Sequence, residues 1–152
     1  MKKTVLLLGV LFMGVSLFSQ SNKDEVSIIQ TSFGMEKKEV VKSFIVIPEN
    51  RTDVFWEIYD EYEIKRKELG KVRIDILNEY AEKWENLKGE EADLLVKKAI
   101  DLNKKTDKLI TTYYKKVKKA TSAEIAVKFY EVETYILTTI RFYIKNTIPF
   151  VN

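Results

Sequence analysis

The sequence predicts an all-α fold of three or four amphipathic helices joined by short connections. Three observations carry that expectation. Apolar residues recur at steps of three and four along most of the chain. The positions between them are dense in Lys, Glu, Asp and Arg, 32% of all residues. Only two prolines and five glycines punctuate the chain, and no Gly-, Pro- or Ser-rich linker divides it.

The N-terminus reads as a secretory leader. Lys2 and Lys3 precede the apolar run Thr4 to Phe18, which small and polar residues follow. The run is shorter than the roughly 20 residues a membrane span needs. Cleavage is expected after Ser19, with Gln20 the adjacent alternative, leaving no integral membrane span and a periplasmic protein; an uncleaved anchor is the competing reading. The chain has no Cys, so it lacks the thiol of a lipoprotein anchor. Residues 20–35 read as a flexible arm and 36–152 as one all-helical domain, a single domain by length.

Each helix has its own signal. In "EKKEVVKSFIVI", Val40, Val41, Phe44 and Ile45 fall at helical spacing, and Pro48 ends the segment because the residue before a proline is driven out of the helical region. From Glu49 to about Leu87, Phe55, Tyr59, Tyr62, Leu69, Val72, Ile76, Tyr80 and Trp84 form a stripe among charges. Gly70 interrupts it, at a cost of about 1 kcal/mol relative to Ala, and predicts a bend or a close contact rather than a break. From about Glu90 to Lys119, Leu95, Ala99, Leu102, Thr106, Leu109, Tyr113, Val117 and Ala120 make a regular seam. Lys97, Lys104, Lys108, Lys115 and Lys119 occupy its opposite face. "ATSAEIA" opens the last helix, with Thr121 and Glu124 read as a capping box. Its stripe is Ile125, Phe129, Val132, Ile136, Ile140 and Tyr143, and Pro149 stops it. Strand propensity in "TYILTTIRFYI" competes, but the spacing continues helical.

Composition excludes more chemistry than it offers. There is no His and no Cys, so the commonest general base and the thiol nucleophile are both missing. Nothing resembles a nucleophile elbow or a phosphate loop. Carboxylates alternate with lysines as on a solvated face, so no enzyme activity is expected. Neither a metal site nor a cofactor is expected, because soft and borderline metals lose their ligands and no loop has calcium-site spacing.

Charge is uneven along the chain. The formal net is +3, falling to +1 once the two leader lysines are removed. From Glu36 to Asp93 there are 16 acidic and 11 basic residues, whereas from Leu94 to Lys128 there are 10 basic and 3 acidic. A dipolar exported chain of net +1 is a poor partner for nucleic acid. Aromatics cluster at Phe55, Trp56, Tyr59 and Tyr62, and again at Tyr113, Tyr114, Phe142 and Tyr143. Trp56 cannot share the centre of the stripe with Phe55 and Tyr59. The last helix is apolar around most of its circumference, so it is either central in the monomer or covered by a second subunit.

The layout resembles the Spy/CpxP group of exported helical proteins, marked by LTxxQ motifs at helix starts. "VIPEN" (Val46 to Asn50) and "LKGEE" (Leu87 to Glu91) stand where those motifs would, 41 residues apart. Both capping threonines are replaced, by Ile47 and Lys88, and neither Gln is present. Pro48 at the first helical position and Gly89 are expected to ease the two uncapped starts. "PENRTDVFWEIYDEY", "ELGKVR", "LLVKKA", "YYKKVKKA", "AVKFYEVE" and "TIPFV" are similar in order and spacing to words shared by small proteins of this type. The resemblance implies an elongated helical hairpin, a homodimer, and ATP-independent, chaperone-like binding of unfolded clients. The alternative it carries is binding to an envelope sensor protein, as a sensory or inhibitory partner. A carboxylate-based metal sensor is a further, weaker alternative. The candidate contacts are Phe55, Trp56, Tyr59, Phe142 and Tyr143, with Lys97, Lys104 and Lys108 steering acidic partners.

Overall fold

The computed structural model describes residue 29 and residues 32–148; the expected leader and most of the expected arm lie outside the described residues. Among the described residues four helices have full bounds, α1 (Lys37–Phe44), α2 (Glu49–Lys83), α3 (Gly89–Ala120) and α4 (Ala123–Thr147), and there is no strand. The all-α expectation therefore holds. The strand-prone run in the last segment is helical throughout α4.

Helix α2 passes through Gly70 without a break, and Gly70 is buried. Its inward stripe runs Phe55, Tyr59, Tyr62, Arg66, Gly70 and Arg73. Beyond Tyr62 this departs from the expected stripe, for Val72 is exposed. Two arginines and a glycine replace larger apolar residues there, so the core narrows. α3 buries Leu95, Leu102, Thr106, Ile110, Tyr113 and Val117. Ile110 is buried in place of the expected Leu109, which is only half-buried.

The two long helices form an antiparallel hairpin. Lys116 binds Glu61, Lys98 binds Glu79, and Lys83 binds Glu91, so partners climb one helix as they descend the other. α4 runs back along α3, with Tyr114 edge-on to Tyr130 and Arg141 bound to Asp107 and Asn103. α1 lies across α4 and the start of α2. The core gathers Val40, Val41 and Ile45 with Phe55, Tyr59, Tyr62, Tyr113, Phe129 and Ile136.

Of three helix starts, those of α2 and α4 differ from expectation in detail, and that of α3 is uncapped as expected. α2 is capped by Pro48 itself, with extended-type ψ of 144°, so the proline stands one position ahead of the first helical residue. The Pro48 carbonyl accepts from Arg51 N at 2.9 Å and from Thr52 Oγ1 at 3.1 Å. α3 opens at Gly89, whose φ of +54° is a conformation that glycine adopts without a Cβ penalty. For α4 the cap is Ser122, which accepts from Ile125 N at 3.2 Å. Thr121 instead donates back to the Val117 carbonyl and closes α3. The capping hydroxyl is thus one residue later than the expected box.

Length decides what the fourth helix covers. α2 has 35 residues and α4 has 25, about 52 Å against 37 Å at 1.5 Å per residue. α4 starts where α3 ends, so it seals the end of the hairpin carrying α1. Its last turns reach only partway toward the hairpin tip.

Candidate functional site

Two places concentrate unusual side chains. The first is a buried ionic cluster. Lys37 Nζ donates to Glu133 Oε1 at 2.5 Å, to Glu63 Oε1 at 2.7 Å and to the Tyr59 hydroxyl at 2.7 Å. All three ammonium protons are thereby used. The Tyr62 hydroxyl donates to Glu133 Oε2 at 2.6 Å, and Arg66 Nε donates to Glu63 Oε1 at 2.7 Å. Glu133 is 2% exposed and Lys37 8%.

Burial, then the charges of Glu133 and Glu63, push the Tyr59 hydroxyl well above its ordinary value. Burial, then the Glu133 charge and its hydrogen bond, do the same to Tyr62. Burial alone would raise the Glu63 carboxyl, but Lys37 and Arg66 together outweigh it and lower it. The cluster joins α1, α2 and α4 in one knot. It has no room for a substrate: the void beside it is about 20 Å³, on the order of a single water. Its role is to fasten α1.

The second place is a groove of about 800 Å³ between the tip half of the hairpin and the end of α4. Ile76, Leu77 and Tyr80 form the α2 wall, Val96, Ala99 and Leu102 the α3 wall, and Phe142, Ile144 and Ile148 the α4 side. Arg73, Arg141 and Lys145 reach the same surface, against a single carboxylate, Asp107. Such a volume with a mainly apolar lining and a few polar groups is typical of ligand sites. Phe142 is 68% exposed, the largest apolar exposure on α4.

The expected contact residues separate sharply. Phe55 and Tyr59 are 0% and 1% exposed, inside the core, so neither can touch a partner while the fold is intact. Trp56 is half-buried. Its ring is edge-on to Phe55 and Tyr59, and the ammonium groups of Lys38 and Lys42 lie 4.9 and 5.7 Å from its centroid. Trp56 therefore anchors α1. Tyr143 is half-buried against the core, while Phe142 stands in the groove. Lys97, Lys104 and Lys108 are exposed, and Lys97 pairs with Asp93 at 2.6 Å. Each lysine directly follows a residue that lines or borders the groove (Val96, Asn103, Asp107) and so lies about 100° around α3 from it. The structure thus brings Phe142 to the groove and leaves the lysines on the adjoining face.

Comparisons with protein-family models, curated proteins and solved structures find no match to the chain. The site must be read from its own chemistry. Among the described residues no group of three or more His, Cys, Asp or Glu is placed to hold a metal ion. No helix among them is long and apolar enough to cross a membrane.

Sequence reasoning missed Lys37, Arg66, Arg73 and Glu133 as interior residues. A signal was present for three of them. Glu133 stands four residues after Phe129 and three before Ile136, on the apolar stripe of α4. Arg66 and Arg73 each follow a stripe residue, Tyr62 and Leu69, by four positions. A charge on an apolar stripe marks a buried ion pair or a polar wall.

Proposed function

We propose that the chain is an exported, periplasmic binding protein of the Spy/CpxP-like type that holds apolar segments of unfolded client proteins without ATP. The observation supporting this reading is the open groove with Phe142 exposed at its side. Large exposed apolar side chains at a concave surface mark a partner site on a folded protein. The groove is built on two long helices held in register, so the binding surface is rigid and needs no chemical energy to form. Lys104 and Lys108, on the adjoining face of α3, attract acidic stretches of a client during approach, an effect that salt screens. The homodimer implied by the resemblance belongs to the same proposal, with mass in solution as its measurement.

The test is suppression of aggregation of a reduced or denatured client at equimolar protein. The expected result is protection that falls at least threefold in Phe142→Ser, with an unchanged thermal midpoint. Equal protection by wild type and variant, or none by either, removes the groove as a client site.

A further inference from the structure

We infer that the groove is also a site for a small ligand, a single-chain anionic amphiphile whose apolar tail lies between the hairpin and α4 and whose carboxylate meets Arg141 and Lys145. This goes beyond the polypeptide reading. It uses the same groove but rests on a different observation, the cations in the groove wall.

The argument begins with the lining. Ile76, Leu77, Val96, Ala99 and Leu102 give an apolar bed, with Asn103 and Thr138 among the polar residues that border it. An acyl tail gains from such a bed with no amide groups of its own to desolvate. The volume of about 800 Å³ falls in the range of about 300–1,000 Å³ typical of small-ligand sites.

Charge then selects the head group. Arg73, Arg141 and Lys145 line the groove with one carboxylate, Asp107, so the wall is net positive. Arg141 Nη2 donates to Asn103 Oδ1 and Asp107 Oδ1, both at 3.1 Å, which fixes the guanidinium plane. Its Nε–H is buried and has no hydrogen-bond partner among the described residues. That nitrogen is closed to solvent, so a head group in the groove meets the exposed third of the Arg141 side chain rather than Nε. A neutral or cationic head group gains nothing from this wall.

The experiment is calorimetric titration of the full chain with dodecanoate, decanoate and octanoate below their micelle concentrations, and with dodecanol as the uncharged control. The expected result is one-to-one binding that tightens about fourfold per methylene, with dodecanoate at least tenfold tighter than dodecanol. Arg141→Gln should abolish most of that preference while leaving dodecanol binding unchanged. Lys145→Gln, at an exposed position, should reduce it more mildly. Ala99→Phe should block both tails, with circular dichroism and the thermal midpoint confirming the fold in each variant.

Equal binding of dodecanoate and dodecanol overturns the head-group assignment. Unchanged binding in Ala99→Phe overturns the location. A dimer mass with no dodecanoate binding means that a second copy covers the groove, and overturns the inference. Client protection without dodecanoate binding does the same while leaving the polypeptide reading intact. Dodecanoate binding without client protection supports the inference and removes that reading instead.

Discussion

Glu133 receives hydrogen bonds from Lys37, Tyr59 and Tyr62 in a setting nearly closed to water. Deleting its charge leaves the Lys37 ammonium buried with Glu63 as its remaining carboxylate. Breaking a buried pair from one side costs about 3–5 kcal/mol, so Glu133→Leu should lose about that much in urea unfolding. Lys37→Met with Glu133→Leu should cost less than the two single changes added together, because no stranded charge is left. The same knot sets the pH response. Tyr59 and Tyr62 have hydroxyls raised above 10.0 in the folded state. Their contribution is complete below that value and is lost as pH rises through the folded values, about 1.4 kcal/mol per pH unit for each tyrosine. Glu63 is lowered from 4.5, so its contribution is present above 4.5 and disappears as pH falls through the folded value. Thermal midpoints measured from pH 3 to pH 11 should therefore fall at both ends, with Tyr62→Phe flattening only the alkaline limb.

At the scale of elements, α1 is the part held by the fewest turns, and eight residues do not make a stable helix in water on their own. What holds it is the Lys37 knot, the Val40 and Val41 contacts, and the Trp56 ring under Lys38 and Lys42. Lys37→Met and Trp56→Ala should each speed amide exchange across residues 37–44 by tenfold or more while leaving the middle of α3 protected. Equal loss of protection in α3 would mean that α1 does not open as a unit. The helices themselves were legible in sequence because three- and four-residue spacing is local. The Ser122 cap and Pro48's place as a cap were not, since adjacent residues compete for the same role and only backbone geometry decides. Burial of Phe55 and Tyr59 followed from the stripe, but the covering of Trp56 depends on lysines from another helix.

For the whole molecule, the apolar excess of the last helix was legible, while its meaning was not. Between Ile125 and Ile140 one face is buried in the core while Val127, Tyr130 and Tyr135 stand exposed on the other, and the last turns open around Phe142. That opening comes from relative helix lengths and from how far α4 travels along α3, which no local pattern reports. The uneven charge along the chain likewise has a tertiary use. The acidic α2 and the basic α3 lie side by side, and pairs such as Lys98–Glu79 and Lys116–Glu61 fix their register. Hydrogen bonding from Lys98 accordingly lowers the Glu79 carboxyl. Exposed pairs of this kind contribute about 0–1 kcal/mol each, so they align the hairpin more than they stabilise it.

The Lys37–Glu133 bond spans 96 positions of the chain, and this separation imposes an order on assembly. The carboxylate lies on α4, so the pair can form only once that helix is in place. Until then the lysine has no carboxylate from α4 and stays hydrated. The hairpin of α2 and α3 needs only neighbours and can form first, but α1 cannot lock before α4 arrives. The N-terminal segment is thus the last part of the described fold to close, although it is the first to be synthesised.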